Sequence, residues 1–314
     1  MFAYLSRRLV TSILTIFLAS ILVFSALLAI PGDPAEIILG INANPKALVA
    51  LHEQLGLDVP PIPRFKNWIL GALRADFGES LKYRKPVRGL IADRLRVSLP
   101  LAFGSVLLAC LLALPLGIFA AVKKGTIFDP LVVIFSQVGA AVPSFWLALM
   151  LILFFSVKNH WLPAGGFTPW ERDPNAYLRS LILPIVALAL GQTAVMTRMT
   201  RAAMLEVLNK DYVRTARAKG LSSRTVLWTH ALRNALVTII TILGISLTNI
   251  LIGSIVIEQV FALPGLGRLA LTAMGTRDYP LLQAEVMFYA SAIVFLSFLV
   301  DMSYGFLDPR IRYT

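Results

Sequence analysis

The sequence predicts an all-α integral membrane protein with six transmembrane helices. Its composition is 57% hydrophobic and only 15% charged, and its mean hydropathy of +0.76 lies outside the range of soluble globular proteins. Six apolar runs are long enough to cross a hydrocarbon core of about 30 Å as helices. These runs are Leu9–Ile30, Leu99–Val122, Leu131–Val157, Ser180–Thr197, Ala235–Ile257 and roughly Leu281–Leu307.

The first and last runs each need a separate justification. Leu9–Ile30 has 22 uncharged residues, and a helix rises about 1.5 Å per residue, so this run can span the core. A cleaved signal peptide would have a shorter apolar core and a small-residue cleavage site, which Ala29-Ile30-Pro31 does not resemble. In the last run the uncharged part is only the 15 residues Val286–Val300, so Glu285 and Asp301 are expected near the two interfaces.

The segment 31–97 has a different character, because seven prolines interrupt it and acidic and basic residues are mixed. It is expected to face water and to contain short helices at Pro45–Leu55 and Val87–Arg96. The second helix is expected to lie amphipathically at the membrane interface. Its apolar face would consist of Leu90, Ile91 and Leu95.

These features predict four regions along the chain. Residues 1–30 form an N-terminal tail and the first transmembrane helix, and 31–97 form an extracytoplasmic segment. Residues 98–307 form a core of five transmembrane helices that includes a charged loop at 198–234. Residues 308–314 form a cytoplasmic tail.

The distribution of Lys and Arg predicts that both termini face the cytoplasm. With that orientation the short cytoplasmic segments carry fourteen Lys or Arg, against five in the short outer loops. Ten more lie in the outer segment 31–97, but the positive-inside rule applies to loops shorter than about 60 residues. The basic cluster Lys82–Arg96, next to the second run, partly violates the rule.

A charged, helix-forming island separates the fourth apolar run from the fifth. Between Arg198 and Arg233 there are eight Lys or Arg and two acidic residues. Asp211 is a candidate N-cap, and Gly220 is placed to end the helix in the left-handed conformation. Ser222 is then a candidate cap for the following helix.

The island has two interpretations that the residues alone leave equally open. Ala216, Ala218 and Gly220 have little side-chain bulk, so a groove on another protein could approach the backbone closely. The alternative is a solvated basic loop.

No motif for catalysis or cofactor binding is found in the sequence. A phosphate-binding G-x-x-x-x-G-K-[ST] loop, an H-E-x-x-H pair and a G-x-S-x-G elbow are all absent. Three scattered histidines and the single Cys110 predict neither a metal site nor a disulfide. The net charge of +12 comes without a nucleic-acid-binding module, so no enzyme activity, cofactor, metal or nucleic acid is expected.

Polar residues within or beside the apolar runs are the remaining candidates for a pathway, because such groups are costly in lipid and usually face a bundle interior or cavity. Hydrogen bonding between helices is the favoured interpretation of Gln192 and Asn249, and a role in a pathway is the alternative. The candidates are Gln137, Gln192, Asn249 and Glu258, with Glu285 and Asp301.

Prolines and small residues in the runs predict kinks and close helix contacts. Pro115, Pro143 and Pro184 can kink helices. Small residues of the fifth run permit close contact between helices; they are Gly244, Ser246, Gly253 and Ser254.

The loop after the fifth run predicts a turn at Pro264-Gly265 followed by a re-entrant or interfacial helix at Gly267–Gly275. This loop could close the outer mouth of a pathway, or it could be a surface loop. The residues that would form such an outer gate are Pro264, Gly265, Gly267, Arg277 and Asp278.

Taken together, the chain closely resembles the inner-membrane permeases of binding-protein-dependent ABC importers, in the dipeptide, oligopeptide and nickel group. The resemblance covers nearly the whole length. It is carried by SRRL before the first run, GDPA (32–35), DFGESLKYRKPV (76–87), VPSFWLAL (142–149), DYVRTARAKGLS (211–222), HALRNAL (230–236), LPGLGRL (263–269), RDYPLLQ (277–283) and LDPRIR (307–312).

The resemblance implies a type I ABC importer permease fold and a coupling loop that docks on a separate ATPase subunit. In the family pattern E-A-A-x-x-x-G, the sequence has Arg214, Thr215 and Ala216 at the first three positions and Gly220 at the last. Thr238 stands where many relatives have a proline, so a kink at the start of the fifth span is not expected. The coupling residues are Asp211, Tyr212, Arg214, Thr215, Ala216, Arg217, Ala218, Lys219, Gly220 and Leu221.

The resemblance also implies the partners and the place of action. These are a second, related permease, two ABC ATPase subunits and an extracytoplasmic solute-binding protein, in the bacterial inner membrane. The expected cargo is di- or oligopeptides; nickel chelates, glutathione or oligosaccharides are alternatives, and an ATP-independent carrier or channel is a further one.

Overall fold

The computed structural model describes residues 2–29, 35–36 and 44–307, and these are almost entirely helical. Its helices, numbered in chain order, are α1 (Phe2–Ala29), α2 (Pro45–Leu55), α3 (Pro61–Leu73), α4 (Val87–Val122), α5 (Phe128–Ala141), α6 (Ser144–Lys158), α7 (Pro174–Leu208), α8 (Asp211–Ala218), α9 (Ser223–Val260), α10 (Leu266–Gly275) and α11 (Tyr279–Leu307). The end of α6 and residues Val226–Leu232 of α9 have π-helical geometry.

Five of these helices, α1, α4, α7, α9 and α11, are long and apolar enough to cross a membrane. Helices α5 and α6 form a sixth span if they are taken together, and they are bent by 95° at their junction. The bend lies at Pro143, because proline has no N–H to donate and keeps the preceding Val142 out of the helical region, at φ −78° and ψ 122°. Pro115 and Pro184, by contrast, lie inside continuous helices.

Of the two short helices predicted in segment 31–97, the structure confirms one and contradicts the other. Pro45–Leu55 is confirmed, with the Asn44 side chain accepting a hydrogen bond from the Lys46 N–H at 3.0 Å and Gly56 ending the helix at φ +62°. The prediction of a separate helix at Val87–Arg96 is wrong, because these residues are the first turns of α4. No proline or glycine lies between Leu90 and Leu99, so nothing stops the helix before the apolar run.

Two compact units can be distinguished from the internal packing. The first contains 97–267 and the described parts of 1–5 and 296–314; the second contains the described parts of 6–96, with 268–295. The predicted region boundaries at 30, 97 and 307 stay predictions. The predicted tail 308–314, with Arg310 and Arg312, and motif residues 32–34 lie outside the described residues.

In the first unit, α7 is the central helix, and α9, α5 and α6 pack around it. Small residues allow close approach: a Cβ on Gly117 would lie 2.7 Å from Cβ of Thr200, and one on Gly139 would lie 2.9 Å from Cβ of Ala194. Close packing of this kind stabilises helix pairs in lipid, where the hydrophobic effect between helices is lost. The predicted close contact at Gly244 is confirmed, since a Cβ there would overlap Val300.

In the second unit, α3 packs on α1 through aromatic rings. The ring centroid of Phe65 lies 5.2 Å from that of Phe24 and 6.0 Å from that of Trp68. The Arg64 guanidinium lies 5.3 Å from the centroid of Phe24, in a cation–π contact. Segment 31–97 therefore has its own ordered helix on the first span.

Candidate functional site

The charged island forms a short helix between the ends of two long ones. Helix α7 has 35 residues and α9 has 38, so each is about 50 Å long or more at 1.5 Å per residue, well beyond a hydrocarbon core of about 30 Å. Their adjoining ends carry Arg198, Arg201, Arg224 and Arg233, so these are the ends expected to extend beyond the core, on one side. Between these ends lies α8, Asp211–Ala218.

The start of α8 differs from the prediction by one residue. Lys210 occupies the N-cap position without a side-chain hydrogen bond, and Asp211 is the first helical residue, so the prediction that Asp211 is the N-cap is wrong. In the first turn its carboxylate still has a favourable interaction with the helix dipole. The Arg214 Nη1 atom lies 3.5 Å from Asp211 Oδ1, but both side chains are exposed, so the pair contributes little stability.

The end of α8 confirms the predicted role of Gly220. The Gly220 N–H donates to the Arg217 carbonyl at 2.9 Å and the Leu221 N–H donates to the Ala216 carbonyl at 3.4 Å, the two bonds of a Schellman motif. Gly220 has φ +80°, a conformation that strains any residue with a Cβ. Ser222 then caps α9 as predicted, by accepting a hydrogen bond from the Thr225 N–H at 3.2 Å.

One face of α8 packs on its own chain. Val213 is fully buried and Ala216 is 6% exposed, and both pack with Val226 of α9. Val207 and Leu208, at the end of α7, cover the same cluster. Ala216 therefore faces α7 and α9, and its role in contact with a partner stays a prediction.

The other face of α8 is open to solvent. Tyr212 on this face is only partly exposed, and the partial burial raises the pKa of its phenol, against a smaller lowering by nearby Lys210. The phenol hydroxyl is therefore protonated and neutral at physiological pH. A Cβ on Gly220 would meet no atom within 4 Å. The exposed predicted residues are Asp211, Tyr212, Arg214, Thr215, Arg217, Ala218, Lys219, Gly220 and Leu221.

The predicted polar residues of the spans lie in three different environments. Gln137 on α5 and Asn249 on α9 are exposed in the single chain. Gln192 on α7 has a buried Oε1 atom without a hydrogen-bond partner. Among the described residues neither Gln192 nor Asn249 bonds to another helix, so the favoured interhelical interpretation is not supported. Glu285 is fully buried.

Glu258 lies in a buried hydrogen-bond network beside the outer loop. Ser98 Oγ on α4 donates to Glu258 Oε1 at 2.6 Å, and it accepts from the Leu266 N–H, at the start of α10, at 2.8 Å. The network therefore joins α4, α9 and α10.

Both glycines of the LPGLG sequence are required by close contacts. A Cβ on Gly265 would overlap the Glu258 carboxyl group, and one on Gly267 would overlap the backbone of Ile255. Pro264 lies in the turn before them, and α10 confirms the predicted helix at Gly267–Gly275 with one further residue at its start.

Arg277 and Asp278, the other predicted gate residues, lie in the second unit. Arg277 has φ +52° and a buried Nη1 atom without a hydrogen-bond partner. Asp278 is fully buried and accepts hydrogen bonds from the Ser80 hydroxyl and, at 3.2 Å, from the Lys82 N–H. Asp278 thus anchors the turn after α3 to the start of α11.

The sequence matches the family of binding-protein-dependent transport system inner membrane components over residues 113–313, and the N-terminal part of the same family over residues 1–102. The chain belongs to this permease family. A Brucella abortus (strain 2308) protein named as a peptide transport system permease is 41% identical over 313 residues, which cover all of both chains. The glutathione transport system permease protein GsiC of Escherichia coli (strain K12) is 39% identical, again over the full length of both.

A solved structure of the methionine ABC transporter MetNI, in an inward-facing conformation, shares the fold. Its chain superimposes with a TM-score of 0.56 at 19% identity, covering 70% of this chain and 96% of that one. The expectation of an all-α permease of the type I importer fold in the inner membrane is confirmed by these findings.

A feature of the permease that the sequence interpretation missed is an ion pair between α7 and α5. Arg201 on α7 contacts Asp129 on α5 through Nε to Oδ1 at 2.5 Å and Nη2 to Oδ2 at 2.9 Å. The sequence does contain a signal for this pair, namely one acidic and one basic residue, each at the end of an apolar run and both on the same predicted side of the membrane. The pair fastens the projecting end of α7 to α5.

The described part of the permease contains no group of three or more His, Cys, Asp or Glu that could hold a metal ion. Cys110 is half-buried and free. What the arrangement can do is mechanical: a short helix with one buried and one open face lies between two long spans.

Proposed function

We propose that this permease moves peptides across the inner membrane as one subunit of an ATP-driven importer. The proposed assembly contains a second, related permease, two ABC ATPase subunits and an extracytoplasmic solute-binding protein. Support for the cargo comes from the peptide-transport names of full-length relatives at 38–41% identity. Support for the partners comes from the family, whose members are components of binding-protein-dependent systems.

The observation that carries the proposal is the two-faced packing of α8. Its inner face, Val213 and Ala216, is buried against the ends of α7 and α9, while Tyr212 and Leu221 are exposed at 44% and 41%. A solvated loop would not need a buried face, and a core helix would not expose these apolar side chains. We assign the outer face to a groove on the ATPase subunit.

Coupling then follows from the packing. When the ATPases close on ATP, they displace α8, and because α8 is packed on α7 and α9 the displacement is transmitted to both spans. The position of α8 thus decides which of the two states of the pathway is favoured. Gln137 and Asn249, exposed in the single chain, are assigned to the surface that faces the second permease or the cargo.

The test compares two glycines with the same local geometry. Gly220 and Gly125 have φ +80° and +81°, and a Cβ on either meets no atom within 4 Å. Gly220→Trp and Gly125→Trp therefore impose similar backbone strain, but only the first places bulk on the proposed docking face. In the reconstituted complex, Gly220→Trp is expected to lower peptide uptake and binding-protein-stimulated ATPase activity by roughly tenfold or more, equivalent to about 1.4 kcal/mol of lost coupling.

Gly125→Trp is expected to keep most of both activities. Unchanged uptake and ATPase activity in Gly220→Trp would show that α8 is not the coupling element. An equal loss in both variants would attribute the effect to backbone strain.

Glutathione is the second candidate cargo, because GsiC is 39% identical over the full length. Mass spectrometry of the ligand that copurifies with the solute-binding protein distinguishes a peptide from glutathione, a nickel chelate or an oligosaccharide. An ATP-independent carrier predicts uptake by proteoliposomes that contain the permease without ATPase subunits. The coupled importer predicts no such uptake.

A further inference from the structure

A cavity of about 540 Å³ lies where three spans end beside α8. The last residues of α4, the last turn of α7 and the start of α9 line it. Val122, Leu208 and Leu227 give the cavity an apolar wall. Because Val122 ends the apolar run of α4 and Lys124 follows it, this side of the cavity lies at the level where hydrocarbon gives way to lipid headgroups.

Three cations surround the cavity. Lys124, Arg217 and Arg224 line it, and none of the described residues of the lining is Asp or Glu. None of the three forms an ion pair with another part of the chain that the structure describes. Lys124 interacts electrostatically with Asp129, although the hydrogen bonds of Asp129 go to Arg201.

The acids close to this site in sequence are already paired with other cations. Glu206 Oε1 lies 3.1 Å from Lys210 Nζ, and Asp129 holds Arg201. Asp211 lies 3.5 Å from Arg214. Among the described residues, no carboxylate forms an ion pair with Lys124, Arg217 or Arg224, so an anion from outside the chain can bind all three.

Two further features of the lining favour a headgroup. Trp228 is 55% exposed, and tryptophan is enriched at the membrane interface, where its ring lies in apolar surroundings and its N–H reaches water. Ser223 and Arg224 begin the 38-residue helix α9, whose first N–H groups carry the positive end of the helix dipole. Of these groups, the Ser222 side chain accepts only the Thr225 N–H.

We propose that this cavity binds an anionic phospholipid, with its phosphate against Lys124, Arg217 and Arg224 and an acyl chain along Val122, Leu208 and Leu227. Free phosphate would satisfy the cations but leave the apolar wall uncovered. Basic pockets between transmembrane helices are the usual form of anionic-lipid sites. Arg217 belongs also to the exposed face of α8, whereas Lys124 and Arg224 lie outside α8, so the test of this site uses these two residues.

The test measures lipid retention by the purified full-length permease in detergent, by native mass spectrometry. Phosphatidylglycerol and phosphatidylcholine with the same acyl chains are compared, with inorganic phosphate as a competitor. The wild-type chain is expected to retain phosphatidylglycerol over phosphatidylcholine, and phosphate is not expected to displace it. Lys124→Gln and Arg224→Gln are each expected to lower phosphatidylglycerol retention about fivefold, in line with the usual contribution of one basic residue near an anionic surface.

The matched control is Lys123→Gln, since Lys123 is an exposed neighbour of Lys124 that does not line the cavity. It is expected to retain phosphatidylglycerol like the wild type. Arg224→Lys keeps the charge and is also expected to retain the lipid, so a loss of folding in Arg224→Gln can be recognised.

Three results on lipid retention would overturn the site. They are equal retention of both lipids by the wild type, equal losses in Lys123→Gln and Lys124→Gln, and displacement by inorganic phosphate. If the neutral variants keep phosphatidylglycerol but fail to assemble with the ATPase subunits, the cations serve a protein surface and the lipid site is refuted.

Discussion

Arg201 and Asp129 form a bidentate ion pair that joins α7 to α5, with distances of 2.5 and 2.9 Å between the guanidinium nitrogens and the carboxylate oxygens. Both side chains are largely buried, at 23% and 11% exposure. Such a pair is geometrically specific, because the planar guanidinium matches both carboxylate oxygens. It holds in place the end of α7 against which α8 packs.

Replacing one partner of this pair is expected to destabilise the permease. Asp129→Asn leaves the Arg201 charge without its counterion, which should lower the free energy of unfolding by about 2 kcal/mol. Arg201→Lys keeps the charge but loses the second hydrogen bond, so a smaller loss is expected. Thermal unfolding in detergent measures both effects. An unchanged melting temperature in Asp129→Asn would show that the pair contributes nothing to stability.

The Ser98 hydroxyl is expected to be essential for the network at the outer loop. Ser98→Ala removes the donor to Glu258 and the acceptor of the Leu266 N–H, and each buried group left unpaired costs about 1–3 kcal/mol. Ser98→Thr keeps the hydroxyl and is the matched control. The measurement is the melting temperature, together with hydrogen exchange of the α10 amides, which should rise only in the alanine variant. Equal behaviour of the two variants would contradict the network.

Val213 is expected to hold α8 on its own chain. Val213→Ala removes two buried methyl groups, which should weaken the packing of α8 by about 2 kcal/mol, so hydrogen exchange of its amides should accelerate by more than tenfold. Thr215→Ala, on the exposed face, serves as the control. If exchange in α8 is the same in both variants, the buried face does not anchor the helix.

The orientation of the chain can be tested with single cysteines in a Cys110→Ala background. The excess of Lys and Arg predicts that the loop after α8 is cytoplasmic and the end of α6 is outside. A membrane-impermeant maleimide should therefore label Lys158→Cys in intact cells and Lys219→Cys only after the membrane is opened. The reverse pattern would place α8 on the outer side.

Several elements were predictable because local sequence alone controls them. The boundaries of Pro45–Leu55 follow from Asn44 before the helix and Gly56 after it, which satisfy the terminal backbone groups. Gly220 is predictable for the same reason, since only glycine adopts φ +80° without strain. The apolar runs are predictable because lipid requires helices of a minimum length.

The errors concern helix boundaries, where residue type or an amphipathic pattern suggests a start or an end that the backbone does not follow. The helix at Val87–Arg96 continues into the span because nothing in it stops propagation, although its amphipathic pattern favours a separate interfacial helix. Asp211 has the residue type of an N-cap, but Lys210 occupies that position and the helix begins at Asp211.

The sequence by itself determined the class of membrane protein, the number of apolar runs and the charged helix between the fourth and the fifth, because hydropathy, caps and breakers act over a few residues. Only the tertiary structure decided that Ala216 faces inward, that Arg201 meets Asp129 across 72 positions, and that three cations surround one cavity. These features depend on which helices pack together and in what rotation, and a helix pattern with small residues on several faces does not specify that rotation.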